Sequence, residues 1–303
     1  MAKIPVGATI AKAYRFAFGG FLRILGVIWF AAAVTWIPGL LLRHKMMTLM
    51  TARDPSAMSQ TLPIMLPAQI VGFVVLSMLM IGVARLALAL HKGPAWFYFS
   101  LGKPVWRLVG SFLLLVLAII VGYLAFLLGA LVLGFAVGLL ASAVPGTITT
   151  IAAGLLAIAG IVAVFCGYIY CLVRLTFLLA PVIAAEEPGF ALGRAWALGK
   201  GNFWRMLGIT IAVLAPFLML EAAFVIYWFQ GLPALDPAQP AAFQAAMDAR
   251  MAMILDGLFH YWYVTYPLGL AILAVFYGAN AGAQCFAWQA LTQRDASDPV
   301  PGN

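Results

Sequence analysis

Long apolar runs follow one another along the whole 303-residue chain, and charged residues lie mostly between them. Each run approaches or exceeds the roughly 20 apolar residues with which a helix crosses a bilayer. The pattern predicts an all-α fold: a polytopic membrane bundle of six transmembrane helices in one integral membrane domain, 1–303. The predicted spans are about 24–42, 64–90, 106–140, 147–180, 204–229 and 260–290.

The number of spans depends on how the longest uncharged stretch is divided. No charged residue occurs in the 66 positions between Arg107 and Arg174, which are too many for one crossing. Residues 142–146, with Pro145 and Gly146, supply the only turn chemistry in this stretch. A break at that turn gives six spans rather than five.

Composition excludes a soluble protein. Hydrophobic residues make up 65% of the chain and charged residues 9%, whereas a soluble domain carries roughly 25% charged residues. The three cysteines are too few for a disulfide-stabilised secreted scaffold.

The net charge of +8 is concentrated on one side of the predicted bundle. The two termini, the 2/3 junction and the 4/5 junction carry thirteen Lys and Arg residues, whereas the opposite loops carry four. Positively charged loops stay in the cytoplasm, so both termini are predicted to be cytoplasmic. No small-residue cleavage site follows the first span, so we interpret it as a retained helix rather than a signal peptide.

A short pattern recurs where the odd-numbered spans begin. It consists of two apolar residues, an arginine, two apolar residues and a glycine. The three copies are 21–26, 105–110 and 203–208. An aromatic-rich segment, predicted to be a short interfacial helix, precedes each copy and ends at Gly20, Gly102 or Gly201. A glycine just past a helix end favours the left-handed conformation that stops a helix.

These patterns together predict three pseudo-repeats, each an interfacial amphipathic helix followed by two spans. Their approximate bounds are 5–92, 93–187 and 188–292, with a flexible tail over 293–303. Near the ends of the even-numbered spans lie three predicted intramembrane polar residues, Arg85, Arg174 and Gln284. Two crossings per unit keep the copies parallel, so a pseudo-threefold axis along the membrane normal is expected. Chance similarity among apolar helices is the alternative.

The first interfacial helix has two distinct faces at 100° per residue. Its apolar face comprises Ile10, Tyr14, Ala17, Phe18 and Phe21. The cations on the opposite face can meet anionic lipid headgroups, each contributing about 1 kcal/mol. Over all three units, the predicted headgroup-contacting cations are Lys12, Arg15, Arg23, Lys103, Arg107, Arg194, Lys200 and Arg205.

Two pairs of glycines four positions apart, Gly134–Gly138 and Gly278–Gly282, form small-xxx-small patterns within spans. Such patterns let helix backbones approach closely. We favour packing within the chain over a dedicated dimer face, because six helices must pack on something.

Residues 174–205 carry a signature that resembles one family of bacterial membrane proteins. The residues that carry the resemblance are Arg174-Leu175-Thr176-Phe177, Pro181, Glu186-Glu187, Gly189, Ala195, Leu198 and Gly201-Asn202-Phe203-Trp204-Arg205. The stretch is similar to the membrane region fused to some glycerophosphodiester phosphodiesterases, and to stand-alone YciC-like inner-membrane proteins. The resemblance implies a helical bundle in the bacterial inner membrane, without the hydrolase, whose chemistry resides in a separate soluble barrel. Trp196 stands where the family usually has serine.

No catalytic residue and no metal site is predicted. The three histidines are dispersed, and none belongs to a His-Glu-x-x-His motif. Cys166 and Cys171 lie about 140° apart on one helix, so they form neither a disulfide nor a tetrahedral metal set. We expect both cysteines in the apolar core, and we expect no enzyme activity and no cofactor.

Glu221 is the single acidic residue within a predicted span. It follows Arg205 by sixteen positions, about 24 Å along a helix, which places it in the outer part of the bilayer. Intramembrane carboxylates mark proton or cation sites by default. We favour a protonated or interface-reaching Glu hydrogen-bonded to a neighbour, because no second acid or in-span His completes a relay.

The sequence thus favours a non-catalytic inner-membrane protein that serves as a scaffold or regulator. Its expected partners are membrane lipids, mainly anionic, or a membrane protein, and not nucleic acid. The alternative is a small-molecule or ion transporter or channel with a passage near the pseudo-threefold axis, and an integral lipid enzyme ranks third. A transporter requires polar or paired charged groups at mid-membrane, and only Glu221 comes near this requirement.

The charge asymmetry makes a testable prediction about topology. Reporter fusions at residues 100, 195 and 303 are expected to report a cytoplasmic location, and fusions at 55 and 240 the opposite side. A signal from the opposite side at residue 195 would contradict both the orientation and the parallel repeats.

Overall fold

The computed structural model describes residues 2–35, 56–90, 99–143, 147–185, 189–230 and 240–297. Within these ranges the regular secondary structure is entirely helical. The helices are α1 (Val6–Gly19), α2 (Phe21–Thr35), α3 (Ser56–Ala87), α4 (Lys103–Ala143), α5 (Thr147–Thr176), α6 (Leu179–Ala184), α7 (Ala191–Leu198), α8 (Phe203–Phe229), α9 (Pro240–His260) and α10 (Trp262–Ser297). Helices satisfy their own backbone hydrogen bonds, as a chain that crosses lipid requires.

Five helical segments in the described ranges are long and apolar enough to cross a membrane, and the bent pair of α1 and α2 can supply a sixth. This is the architecture of a multi-pass membrane protein. The uncharged stretch divides where predicted, since α4 ends at Ala143 and α5 begins at Thr147. At the C-terminus, α10 continues to Ser297, so residues 293–297 of the predicted tail are helical.

The first helix is set at a steep angle to the second. The axes of α1 and α2 differ by 74°, so α1 lies close to the membrane plane if α2 crosses the membrane, as an interfacial helix does. Lys12 and Arg15 are exposed, as predicted. Phe18, predicted on the apolar face, is 65% exposed, whereas Ala13 and Ala17 are fully buried. The buried face is centred on these small residues because α1 packs along α10.

Buried side chains concentrate at one end of the bundle, where α2, α4 and α8 begin and α3, α5 and α10 approach their C-termini. We call it the basic end because Arg23, Arg107 and Arg205 lie there. In α4 the last buried residue is Leu115, and most of the described side chains beyond it are exposed. Exposed apolar surface is tolerated at the far end, since lipid tails are as apolar as leucine.

A short helix, α6, lies inside the bundle with all six of its residues buried. It contacts α3, α4, α7 and α10. The predicted fourth span, 147–180, corresponds to a candidate membrane span over Gly154–Ala184. A turn interrupts it, because α5 ends at Thr176 and α6 begins at Leu179. Pro181 lies in the first turn of α6 and has no N–H to donate to the carbonyl of Phe177.

Two glycines of α10 allow α1 and α2 to approach it closely. A Cβ atom at Gly278 would lie 2.7 Å from Cδ1 of Ile24 and 3.1 Å from Cα of Ala17. A Cβ atom at Gly282 would lie 3.2 Å from Cα of Ala13. Packing within the chain, predicted for this pair, is confirmed.

The other glycine pair behaves differently. A Cβ atom at Gly134 or Gly138 would meet no described atom within 4 Å that lies outside its own helix turn. Both residues lie on the exposed far part of α4. Within the described part of the chain, the predicted packing is therefore not found for this pair.

Only one of the three glycines predicted to stop interfacial helices has the left-handed conformation. Gly201, which follows α7, has a φ of +75°. The prediction is wrong for Gly20, whose φ is −97°, and for Gly102. At Gly20 the constraint is space, since a Cβ atom would lie 2.8 Å from the carbonyl oxygen of Phe16. Of the predicted second interfacial helix, 96–102, residues 96–98 lie outside the described residues, and residues 99–102 are not helical, so the prediction is wrong for that part.

The contrast between the glycine pairs predicts two different responses to the same substitution. Gly278→Val is expected to destabilise the protein by about 1–3 kcal/mol, because the side chain overpacks against the backbone of α1. Gly138→Val is the matched control, and no comparable loss is expected at its open position. Thermal unfolding of the purified protein in detergent measures both. Equal losses would show that Gly278 does not set the contact between α1 and α10.

Candidate functional site: two cationic pockets at the basic end

The larger pocket lies between the end of α3 and the start of α4, and its volume is about 720 Å³. Its lining residues are Arg85, Ser100, Gly102, Lys103, Pro104, Arg107 and Gly189. Three of these described side chains are cationic: those of Arg85, Lys103 and Arg107. The Nη2 group of Arg107 donates to the carbonyl oxygen of Gly189 at 3.0 Å, which joins the start of α4 to the segment before α7. The pocket has the charge to attract an anion.

A second pocket of about 460 Å³ lies where α1, α2, α3 and α10 meet. Its lining residues are Lys12, Arg15, Phe16, Gly19, Gly20, Arg23, Leu86, Phe286 and Gln289. It too has three cations, Lys12, Arg15 and Arg23, among its described lining residues. The fold thus brings five of the eight predicted headgroup-contacting cations, together with Arg85, into two groups.

The N-terminal segment is held on the start of α8 by Asn202, which is only 2% exposed. Its Oδ1 atom accepts from the backbone N–H of Ile4 at 3.1 Å, and its Nδ2 group donates to the carbonyl of Ala2 at 3.0 Å. Next to it, Nη1 of Arg205 donates to the carbonyl of Ile4 at 3.2 Å. The amide and the guanidinium therefore both bind this segment's backbone.

Arg174 is buried between two aromatic rings. Its guanidinium lies 3.7 Å from the ring centroid of Trp196 and 5.4 Å from that of Tyr170. Its Nη1 and Nη2 groups donate to the hydroxyl of Tyr170 and to the carbonyl of Trp196, each at 2.7 Å. One hydroxyl, one carbonyl and two aromatic rings thus stabilise this buried cation. No described carboxylate is paired with it.

The other predicted polar residues take up separate positions. Gln284 is buried in α10 and donates to Oδ1 of Asn280 at 3.3 Å. Arg194, in α7, and Lys200, just after it, are exposed and line neither pocket.

Glu221 is exposed on α8 and lines neither pocket. Its carboxyl group makes no hydrogen bond or ion pair with a residue in the described ranges. The hydrogen-bonded neighbour expected for this carboxyl is therefore not found among them. The side chain is exposed and is not part of the packed core.

The cysteine prediction is wrong, since Cys166 and Cys171 are both exposed. They lie on the part of α5 that has few protein neighbours, where exposed apolar surface can face lipid. In the described part of the chain, no three His, Cys, Asp or Glu side chains are placed to hold one metal ion.

Two residues with clear structural roles were not singled out as site residues from the sequence. Asn202 follows the left-handed Gly201, and an asparagine at a helix start suggests a cap. Its side chain instead binds the N-terminal segment, which lies some 200 positions away in sequence. Trp196 was noted only as a departure from the family pattern. Its contact with Arg174 depends on how α7 folds back on α5, which local sequence does not specify.

The cation–π contact makes a prediction with an internal control. Trp196→Leu is expected to lower the stability by about 2 kcal/mol, because it uncovers a buried guanidinium. Trp204→Leu removes a ring that is 78% exposed, so little change is expected. Thermal unfolding in detergent distinguishes the two variants. Equal effects would indicate that the ring of Trp196 contributes no more than a surface aromatic residue.

This chain matches no protein-family model, no curated protein and no solved structure. The resemblance of residues 174–205 to the membrane region of glycerophosphodiester phosphodiesterases therefore stays a prediction. The function is therefore inferred from the geometry of the basic end.

Proposed function

We propose that the chain is a non-catalytic scaffold or regulator of the bacterial inner membrane that interacts with anionic lipids through its basic end. One observation carries the proposal: six cations line two pockets there, and four of them, Lys12, Arg15, Arg23 and Lys103, are exposed. Cations near a membrane surface attract anionic headgroups, each contributing about 1 kcal/mol. A protein partner in the membrane would bind the lipid-facing surfaces of the same bundle.

The orientation of the bundle belongs to this proposal. The positive-inside bias assigns the basic end, and with it both termini, to the cytoplasm. The pockets would then lie at the cytoplasmic leaflet, where anionic lipids create a negative surface potential. Exposed Phe18 and Trp204, at 65% and 78%, flank this end as aromatic residues do at a membrane interface.

Two hydrogen bonds support the three-unit arrangement. Arg107, at the start of the second unit's first span, donates to Gly189, two residues before α7. Arg205, at the matching position of the third unit, donates to Ile4, two residues before α1. Each arginine therefore binds the segment that precedes the interfacial helix of the next unit. The third contact in this cycle, from Arg23, would fall near 91–98, outside the described residues.

The packing favours a scaffold over a transporter. The central cluster consists of apolar side chains from α2, α3, α4, α6, α7 and α10. A transport passage near the pseudo-threefold axis would need polar groups at mid-membrane. The acidic residue proposed for that role, Glu221, points away from this cluster.

Lipid selectivity tests the proposal. Purified full-length protein is titrated with dioleoyl phosphatidylglycerol or the zwitterionic dioleoyl phosphatidylcholine, and binding is measured by native mass spectrometry. We expect tighter binding of the anionic lipid. The double variant Lys12→Gln/Arg15→Gln removes two exposed cations of α1 and is expected to weaken that binding by about tenfold or more.

The matched control is Lys45→Gln/Arg53→Gln, which removes two cations from a loop assigned to the opposite side. Its binding is expected to equal that of the wild type. Equal affinity of the wild type for both lipids would contradict the proposal. Ion-driven uptake by reconstituted vesicles that is lost in Glu221→Gln would support the transporter instead.

A further inference from the structure

We infer that the second pocket, at the bend between α1 and α2, is a discrete site for one anionic phospholipid, whose phosphate group is bound by Lys12, Arg15 and Arg23. The inference rests on the proposed lipid interaction and narrows it to one place. The pocket has a volume of about 460 Å³ and is lined by residues of α1, α2, α3 and α10, together with Gly20 at the bend. Sites for small ligands usually have volumes of about 300–1,000 Å³.

The positive charge of the second pocket comes from three exposed side chains on two helices. Lys12 and Arg15 lie on α1, and Arg23 lies in the first turn of α2. None of the three makes a hydrogen bond or an ion pair within the described part of the chain. Three like charges around one cavity repel one another, and a phosphate group bound between them offsets that repulsion.

The helices that form the pocket carry little negative charge of their own. Together α1, α2, α3 and α10 contain one acidic residue, Asp295, which follows Gln289 by six positions, about 9 Å along α10. Its neighbour in sequence is Arg294, so this pair adds no net charge. The three pocket cations are therefore in excess over the acids of these four helices.

Below the cations, the floor of the second pocket is apolar. Phe16, Leu86 and Phe286 line it and are half-buried, whereas the three cations are exposed at its rim. The rings of Phe16 and Phe286 meet edge to face, with their centroids 6.3 Å apart. A phosphate at the rim would place the glycerol and the first acyl carbons of a phospholipid on this floor. A soluble phosphate ester has no apolar group to cover the floor, so a lipid is the better fit.

The bend also sets the pocket at the level of the lipid headgroups. If α2 crosses the membrane, its first turn, with Arg23, lies at the interface, and α1 lies close to the membrane plane because the two axes differ by 74°. Leu22 and Trp29 are 64% and 40% exposed and stand seven positions apart, on one side of α2. The acyl chains of a lipid bound beside Arg23 would lie along this side.

Gly19 makes it possible to fill the pocket without removing a charge. It lines the cavity, and a Cβ atom there would meet no described atom within 4 Å outside its own helix turn. Gly19→Leu therefore adds a side chain to the cavity while all three cations remain. The matched control is Gly7→Leu in the same helix, because Gly7 is equally open, lies about 18 Å away along α1 and lines neither pocket.

A second set of variants tests the charge. Arg23→Gln removes one pocket cation, and Arg23→Lys keeps it. Lys3→Gln is the control, since Lys3 is an exposed lysine at the same end that lines neither pocket. At about 0.15 M salt, charges farther than about 8 Å from a ligand are screened, so a cation outside the pocket is expected to contribute little.

The full chain is titrated in neutral detergent at this salt concentration with dioleoyl phosphatidylglycerol, and the dissociation constant of the first bound lipid is measured by native mass spectrometry. We expect Gly19→Leu and Arg23→Gln each to weaken binding of the first lipid by about fivefold or more. Arg23→Lys, Gly7→Leu and Lys3→Gln are expected to stay within about twofold of the wild type. Thermal unfolding without added lipid checks that each variant is folded. If Gly19→Leu fails to fold, the comparison of Arg23→Gln with Lys3→Gln decides alone.

Glycerol 3-phosphate, titrated separately by calorimetry, represents a soluble ester. Weaker binding of the first lipid in Gly19→Leu and Arg23→Gln, with both controls unchanged, supports the site. Anionic-lipid binding that Gly19→Leu leaves intact, or that Arg23→Gln and Lys3→Gln reduce equally, overturns the pocket and leaves the proposed function standing. Equal affinity for phosphatidylglycerol and phosphatidylcholine contradicts the proposed function. If glycerol 3-phosphate then binds the wild type but not Arg23→Gln, the ligand is a soluble ester, and the lipid site is overturned as well; absence of binding by both probes also overturns it.

Discussion

The close contact of α1 with α10 is the constraint on which the basic end depends. Gly278 and Gly282 have no side chains, so Ala13 and Ala17 can approach the backbone of α10 closely. This contact joins the first helix of the chain to the last. It also places the cations of α1 beside α10 in the second pocket. A larger side chain at Gly278 would separate the two helices and widen that pocket.

Three arginines at the basic end bind uncharged oxygen acceptors. Arg107 and Arg205 donate to backbone carbonyls, and Arg174 donates to a carbonyl and a hydroxyl while stacking on Trp196. Such acceptors fix the direction of a guanidinium. The same contacts therefore hold the helices together and position cations at this end.

The exposed apolar surface at the end opposite the basic end is explained by lipid as the surrounding solvent. Apolar side chains gain little by packing together in lipid, so the outer parts of α4 and α5 can stay exposed. The 41 residues of α4 extend about 60 Å, roughly twice the apolar thickness of a bilayer. This helix therefore tilts or extends beyond the hydrocarbon. Among the described residues, buried side chains concentrate at the basic end, which includes α6, and are few at the other end.

The sequence by itself determined the class of the fold and the break at residues 142–146, because span length and turn chemistry are local properties. It also assigned the cations to the span junctions, since a charged side chain inside lipid is unfavourable. Tertiary structure alone decided the rest. The hydrogen bonds between Asn202 and the N-terminal segment, and between Arg174 and the carbonyl of Trp196, each join separate elements of the chain. Which glycine pair packs, and which cations share a pocket, depends on the same long-range contacts. In an almost uniformly apolar chain, local pattern carries little information about which face of a helix meets protein and which meets lipid.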